Sequence, residues 1–376
     1  MNSTSLYIHV PFCAGGKCDY CDFYSVITDE KSIVDLYVKA VIEDVKYQID
    51  YFNVKEIRTV YIGGGTPSVL GAKSLRFLLD GLKILPGFSP VEEFSIEANP
   101  ESVTDEFLSV CRDGGINRLS LGVQTFNEKS RLAVNRRGQA HLLEKQLGLV
   151  SNMFPGAFSA DLITGLPYQS EESVKEDVKR LLAFNPAHVS LYSLTVEEGT
   201  PLEKKIKTGV ASVPDGDTAD HLWLTGRDAL VNAGFDHYEV SNFALAGKRC
   251  LHNIRYWSMD GWLGAGPCAS GTVINENNGT AKRFTFAPDL QSYINSPCVR
   301  NAVCEELDRD ALIRESLLMG YRFCEGPDME KFKRRFGCGI EDCIPETLKR
   351  WKEKDKMLFL NQFLTEAFPE LSNGIV

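Results

Sequence analysis

Short apolar runs alternate with longer amphipathic stretches over the first two-thirds of the chain. The apolar runs are typical of strands that are buried in a sheet. Six strands are predicted: Leu6 to Val10, Thr59 to Ile62, Glu93 to Glu97, Arg118 to Val123, Phe158 to Ile163 and His188 to Leu194. The intervening stretches are predicted to be helices, the clearest at 33–52, 72–85, 104–113, 140–150 and 172–183.

This alternation predicts an α/β fold with a parallel sheet and right-handed crossovers. Six strand–helix units are fewer than a closed eight-stranded barrel needs, so we expect a partial, TIM-like (β/α)6 barrel that is open on one side. In such barrels the chemistry lies at the carboxyl ends of the strands. The glycine-rich and polar motifs of this chain all fall at those predicted ends.

The pattern changes after about Glu197. We predict a helix and linker at 201–214, a helix at 215–233, a strand at 237–243 and an irregular glycine-rich segment at 261–271. From about residue 308 the chain is expected to be helical and charged, with a small hairpin at 357–364. This pattern predicts three units: a barrel domain at 1–236, a substrate-side segment at 237–305, and a small accessory domain at 306–376 that resembles a winged helix.

Composition narrows the functional classes. The 376 residues are 43% apolar and 24% charged, which is ordinary for a soluble protein, and no apolar run reaches about 18 residues. The net charge of −10 argues against a nucleic-acid partner, because that interaction depends on Lys and Arg. Eleven cysteines, without a secretory signal, favour a reducing cytoplasmic setting over disulfides.

Three of these cysteines, Cys13, Cys18 and Cys21, lie within nine residues, just after the first predicted strand. Three thiolates can hold a [4Fe–4S] cluster and leave one iron open to a small molecule. Iron–sulfur clusters and structural zinc sites normally have four protein ligands, and the next cysteine, Cys111, is far along the chain. Spacing alone leaves an open iron–sulfur site, a zinc site completed by His9, and scattered thiols as alternatives.

The segments Tyr7-Ile-His-Val-Pro-Phe-Cys13 and Lys17-Cys18-Asp-Tyr-Cys21-Asp-Phe23 resemble the cluster loop of radical S-adenosylmethionine (SAM) proteins. The resemblance is to the branch that contains oxygen-independent coproporphyrinogen III dehydrogenase. It implies a radical SAM barrel, a [4Fe–4S] cluster on the three cysteines, and SAM on the open iron, flanked by Tyr7 and Tyr20. The spacing differs, because the family has C-x3-C-x2-C and this chain has C-x4-C-x2-C. Gly15 and Gly16 supply the extra residue, and glycine can reach backbone angles closed to other residues.

Further motifs follow the predicted strands. By themselves, the glycines of Gly63 to Pro67 are an ordinary turn, whereas Glu97 is equally well explained as a ribose-binding carboxylate or as an ordinary strand-end acid. The resemblance implies that Gly64, Gly65 and Thr66 hold the SAM amine and that Glu97 accepts the ribose hydroxyls. It also implies that the remaining SAM contacts come from Gln124, Arg136, Asp161 and, near the adenine, Thr195.

The segment His252-Asn-Ile-Arg-Tyr-Trp257 resembles the H-N-x-x-Y-W signature of HemW-type radical SAM proteins, which are regarded as haem chaperones. A neutral imidazole can bind haem iron, so His252 is a candidate haem ligand, with a structural histidine as the alternative. Phe23 stands where the resembling dehydrogenase has a further cysteine. The combination favours haem handling over porphyrinogen oxidation.

The resemblance therefore predicts a protein that binds a [4Fe–4S] cluster, SAM and haem as cargo. It would deliver the haem to a haem-requiring acceptor, with flavodoxin or ferredoxin as electron donor. The alternatives are a coproporphyrinogen III oxidase, another radical SAM enzyme, and a zinc-binding interaction protein without redox chemistry.

Overall fold

The computed structural model describes residues 3–28, 30–88, 91–136, 138 and 140–351. The strands are β1 (Ser3–Val10), β2 (Phe12–Cys13), β3 (Val26–Ile27), β4 (Glu56–Gly64), β5 (Glu93–Ala98), β6 (Arg118–Gln124), β7 (Phe158–Thr164), β8 (His188–Ser193), β9 (Asp236–His237), β10 (Asn242–Ala244), β11 (Trp262–Ala265), β12 (Ser270–Asn275), β13 (Thr280–Thr285) and β14 (Val303–Leu307). The helices are α1 (Lys31–Tyr51), α2 (Gly71–Lys83), α3 (Asp105–Asp113), α4 (Glu128–Ala133), α5 (Ala140–Met153), α6 (Glu171–Leu182), α7 (Pro201–Lys207), α8 (Gly216–Asn232), α9 (Leu251–Trp257), α10 (Leu290–Asn295), α11 (Arg309–Gly320), α12 (Met329–Phe336), α13 (Ile340–Cys343) and α14 (Pro345–Trp351). Among these helices, none is both long enough and apolar enough to cross a bilayer.

A parallel sheet with the order β1-β4-β5-β6-β7-β8 forms the centre of the fold, and all six predicted strands are confirmed. β11 extends the sheet beyond β1, and β10 extends it beyond β8. The two ends do not meet within the described residues, so the predicted open α/β barrel is confirmed. The carboxyl ends of the six parallel strands therefore lie along one rim.

The helices cover the sheet because their apolar residues recur on one face. In α2, Leu75, Leu78, Leu79 and Leu82 are buried at helical spacing, and each contributes roughly 1.5–3 kcal/mol of burial. Side-chain caps stabilise the first turn of several of the helices. The Thr104 hydroxyl accepts a hydrogen bond from the Phe107 amide at the start of α3.

The prediction of an irregular segment at 261–271 is wrong. β11 lies there, parallel to β1, and β12 begins at Ser270. Glycines weaken the strand pattern of this segment. Gly264, however, allows the backbone of β11 to pass close to the backbone at Ser270. A Cβ on Gly264 would lie 2.2 Å from the Ser270 carbonyl oxygen.

The predicted single strand at 237–243 is two short strands, β9 and β10, which pair antiparallel. The turn between them contacts the C-terminal part of the chain, where the Val240 amide donates to the Arg322 carbonyl over 3.2 Å. This contact bends the segment and divides the strand. The predicted hairpin at 357–364 lies outside the described residues.

Most of the buried apolar residues belong to two hydrophobic clusters. The larger one joins the sheet to its covering helices. The second contains α11 to α14 residues together with Met259, Ala281 and Leu307. The helical character predicted beyond residue 308 is confirmed up to Trp351, while the three domain boundaries stay predictions.

Candidate cofactor site

A cavity of about 390 Å³ lies at the carboxyl ends of the parallel strands. The three clustered cysteines and Tyr20 line one side of it. Seven further residues predicted from the resemblance line the rest: Gly64, Gly65, Thr66, Glu97, Gln124, Arg136 and Asp161. Residues that are up to 148 positions apart in the sequence are thus brought to one site by the parallel topology.

The cluster loop joins β1 to the rim of the barrel. Gly15 and Gly16 have φ angles of 67° and 141°, which residues with a Cβ rarely adopt. The extra residue of the loop therefore uses the freedom of glycine, as predicted. The Cys21 amide donates to the Cys18 carbonyl over 3.2 Å, and burial raises the pKa of the Cys21 thiol.

Two side chains of the rim contact the cysteine sulfurs. The Thr66 hydroxyl lies 3.9 Å from Cys13 Sγ, and the Arg136 guanidinium lies 3.5 Å from Cys18 Sγ. Iron binds the thiolate form of cysteine, so a cation lies beside one of the sulfurs that would carry this negative charge. Within the described part of the chain, no three His, Cys, Asp or Glu side chains converge closely enough to hold a single metal ion.

The glycine segment after β4 follows the chain that leads into the cluster loop. The Gly65 amide donates to the Val10 carbonyl over 2.8 Å, and the Thr66 amide donates to the Phe12 carbonyl over 2.7 Å. Gly64 has a φ of 105°, and a Cβ there would lie 2.6 Å from the His9 ring. The segment accordingly needs glycine at this position to pass so close to the loop.

Two recessed carboxyl groups face the cavity. Glu97 accepts hydrogen bonds from the Tyr61 hydroxyl at 2.8 Å and the Gly64 amide at 3.1 Å. Asp161 accepts one from the Ser120 hydroxyl at 3.3 Å. Burial raises the pKa of Glu97 to about 7 and that of Asp161 to about 6.

Gln124 places an unsatisfied polar atom at the wall of the cavity. It has a φ of 69° and lines the cavity, and its buried side-chain oxygen has no hydrogen-bond partner among the described residues. Buried polar atoms are normally satisfied. This orphaned oxygen, the Gly64 cradle and the three thiols fit a bound cluster and a polar small molecule.

Two predicted site residues do not line the cavity. The Tyr7 hydroxyl lies 3.1 Å from His9 Nδ1, and the Tyr7 ring stacks on the ring of Tyr61. Tyr7 therefore lies behind the residues that line the cavity. Thr195 is exposed on the loop that follows β8.

His252 lies at the opposite end of the barrel. It is 1% exposed, and both ring nitrogens have hydrogen-bond partners, the Thr59 hydroxyl at 2.9 Å and the Tyr256 hydroxyl at 3.0 Å. Burial lowers the pKa of His252 to about 3, so the imidazole is neutral. Neither nitrogen is open to a ligand in this structure, which favours the structural alternative.

A carboxylate from the sheet holds the helix that carries His252. Glu93, at the amino end of β5, accepts hydrogen bonds from the Leu251 amide at 2.8 Å and the His252 amide at 3.1 Å. Carboxylates stabilise helix N-termini because the first amides have no partner within the helix. Helix α9 therefore closes the barrel at the end away from the cysteines.

Sequence reasoning missed Asn99, which also lines the cavity. Its amide donates to the Thr66 hydroxyl at 3.1 Å, and its oxygen accepts from Arg136 at 2.9 Å. Asn99 thereby connects two predicted SAM contacts. Its position two residues after Glu97, before Pro100, was the available signal.

Comparison with known proteins places this geometry in a family. The Radical SAM superfamily model matches residues 7–181. The chain is 35% identical to the heme chaperone HemW of Lactococcus lactis over 380 residues, covering 99% of this chain and 96% of that protein. It is also 35% identical to the heme chaperone HemW of Escherichia coli over 270 residues, covering 72% and 70%.

Among solved structures, the fold is similar to that of coproporphyrinogen III oxidase (HemN) from Escherichia coli, a radical SAM enzyme. The TM-score is 0.77 at 23% identity, covering 93% of this chain and 82% of that one. At this identity the likeness shows the fold alone. The extended sequence identity shows more: the chain belongs to the HemW family of radical SAM proteins.

Proposed function

We propose that this protein is a haem chaperone that carries a [4Fe–4S] cluster and SAM. The observation that carries the proposal is the convergence of Cys13, Cys18 and Cys21 with the strand-end polar groups on one cavity. The names of the HemW relatives supply the haem function.

The chain's own groups have separate tasks in this proposal. The three cysteines hold the cluster, and the cluster, when bound, supplies a low-potential electron and an open iron. Arg136 suits a carboxylate because its planar fork can donate two parallel hydrogen bonds. Glu97, when ionised, accepts hydrogen bonds from neighbouring hydroxyls, as acidic residues do for ribose in nucleotide sites.

The remaining walls of the cavity shape the space for the bound groups. Gly64 and Gly65 let the backbone approach without side chains between, and Tyr20 and Phe23 line the side of the cysteines. Thr195 and Tyr7 do not line the cavity, so their roles rest on the resemblance alone. Thr195 is proposed as an outer contact near the adenine, and Tyr7 as a ring that flanks SAM. Haem then leaves the protein for a haem-requiring acceptor, and flavodoxin or ferredoxin is the proposed electron donor.

Haem titration of the anaerobically reconstituted full chain tests the proposal. We expect a Soret shift that saturates at about one haem per chain. No spectral change at stoichiometric haem would overturn the chaperone function. Repeating the titration on cluster-free protein separates haem binding from the cluster.

Coproporphyrinogen III oxidation is the second candidate, because the fold resembles that of an oxidase. Phe23, which stands where the dehydrogenase that the cluster loop resembles has a further cysteine, counts against it. Reduced protein incubated with SAM and coproporphyrinogen III would discriminate. We expect no vinyl product, and its formation would favour the enzyme.

A further inference from the structure

A second cavity, of about 560 Å³ and widely open to solvent, lies beside the cluster loop, where its lining residue Lys205 contacts Asp19. It is lined by Lys129, Leu132, Ala133, Tyr168, Lys205, Val210 and Ala211, and we call these residues the lateral surface. None of them lines the cofactor cavity. The volume is within the range of about 300–1,000 Å³ that small-molecule sites occupy.

Three large apolar side chains of the lateral surface face solvent. Leu132 is 76% exposed, Tyr168 67% and Val210 70%. They come from α4, the loop after β7 and the turn after α7, yet they line one cavity. A single exposed apolar residue is ordinary, whereas a cluster of them marks a binding surface.

The ring of Tyr168 is held outward by an ordered loop. Tyr168 has a φ of 64°, a conformation that residues with a Cβ rarely adopt. The neighbouring Gln169 side chain fixes the loop, donating to the Ile163 carbonyl and accepting from the Leu166 amide, both at 2.9 Å. The loop therefore holds the Tyr168 ring exposed in spite of an unfavourable backbone conformation. A ligand that contacts the ring would explain this arrangement.

Two ammonium groups flank the apolar side chains in a chain whose net charge is −10. Lys205 donates to Asp19 at 2.5 Å and to the Ala133 carbonyl at 3.2 Å. An ammonium has three protons, so Lys205 is positioned with one donor left. Lys129 is exposed on α4. The lateral surface thus combines an apolar patch with two cations. It is complementary to a flat apolar molecule that carries two carboxylates.

We propose that the lateral surface is the haem seat, an inference that rests on the proposed haem function. Leu132 and Val210 contact the porphyrin, and Lys129 and Lys205 bind its two propionates. Tyr168 supplies the axial ligand to ferric iron, as tyrosine does in some haem proteins. The phenol proton is released to solvent when the oxygen coordinates iron.

The seat is tied to the cluster loop without overlapping the cofactor cavity. The Leu202 amide donates to the Asp19 carbonyl over 2.9 Å, and Lys205 bonds the Asp19 side chain. A small core formed around Val134 and Leu202 packs beneath the surface and against Tyr20. Haem and SAM therefore occupy separate sites that share one loop.

Haemin titration of the full chain and three single variants tests the seat: Tyr168→Phe, Leu132→Ser and Lys129→Glu. We expect each variant to bind haem at least tenfold more weakly. Tyr168→Phe should also lose the charge-transfer band of a phenolate ligand while keeping the ring. The control is Ile84→Ser, at an exposed apolar position after α2, which should bind haem as the unchanged protein does.

The outcomes separate this inference from the proposed function. If the unchanged protein does not bind haem, the proposed function fails. If it binds haem and all three variants bind it equally well, haem lies elsewhere and only the seat is overturned. Unaltered haem binding together with a shift from dimer to monomer in Leu132→Ser would identify a contact between copies instead. Circular dichroism of each variant verifies that it is folded.

Discussion

The Arg136 guanidinium lies 3.5 Å from the Cys18 sulfur and also donates to the Asn99 side chain and the Gly122 carbonyl. Arg136 is 8% exposed, so one buried cation joins the cluster loop to the ends of β5 and β6. The charge beside the Cys18 sulfur is the same charge that we assign to the SAM carboxylate.

Replacing Arg136 by Met should weaken both the fold and the cluster. The substitution keeps the length of the side chain but removes the donor from the buried Gly122 carbonyl and the partly buried Asn99 oxygen, at a cost of about 1–3 kcal/mol for the buried acceptor. We expect the free energy of unfolding, measured by urea denaturation, to fall by about 2 kcal/mol or more, and iron retention to drop. Arg112→Met is the control, because Arg112 is exposed; equal stability losses in the two variants would contradict the account.

Alanine at Cys13, Cys18 or Cys21 should remove iron from the reconstituted protein. Each thiolate holds one iron, so loss of one ligand leaves the cluster with two protein bonds. Iron and sulfide analysis is expected to find about four of each per chain before substitution and little after it. Cys304→Ala, on the exposed strand β14, should keep the full content. One zinc per chain, with no sulfide, would favour the structural zinc site.

Replacing Glu97 by Gln should stabilise the protein at alkaline pH. Burial raises the pKa of Glu97 from 4.5 to about 7, so the folded chain binds more protons than the unfolded chain between these values. Stability therefore falls as the pH rises through this window. We expect Glu97→Gln to raise the free energy of unfolding by about 1–3 kcal/mol at pH 8 and by much less at pH 5.

The same variant should bind SAM at least tenfold more weakly, because an amide offers the ribose hydroxyls one acceptor oxygen instead of two. Calorimetry on cluster-loaded protein measures this affinity. Glu176→Gln, on the exposed face of α6, is expected to change neither quantity. Unchanged SAM binding by Glu97→Gln would remove Glu97 from the proposed site.

Replacing His252 by Phe should destabilise the fold and leave haem affinity unchanged. The substitution removes the His252 partner from the Thr59 and Tyr256 hydroxyls, at a cost of about 1–3 kcal/mol, while Thr59 keeps its hydrogen bond to the Ser5 hydroxyl. Urea denaturation should show that loss, and haemin titration of the folded variant should match the unchanged protein. A variant that is as stable as the original but no longer binds haem would restore His252 as the haem ligand.

Local sequence patterns predicted the barrel better than the segments that follow it. The six strands are short segments rich in apolar residues, so their positions follow from local sequence. β11 was missed because Gly264 interrupts its pattern, and because its parallel partner is β1, which is distant in the sequence. The division of 237–243 into two strands likewise depends on a contact with Arg322.

The candidate site shows the same contrast. Glu97 and Arg136 were predicted because they belong to motifs, whereas Asn99 acquires its position only through hydrogen bonds to residues 33 and 37 positions away. The lateral surface has no motif at all. Leu132, Tyr168 and Val210 come together only in three dimensions, and their exposure cannot be predicted from hydrophobic pattern alone.

Haem transfer is the most direct test of the central claim. Haem-loaded protein is mixed with membranes that contain a haem-free form of a haem-requiring enzyme, and the activity of that enzyme is followed. We predict that activity returns while the Soret band of the loaded protein declines in step. Activity that returns with free haemin but not with the loaded protein would contradict a chaperone function.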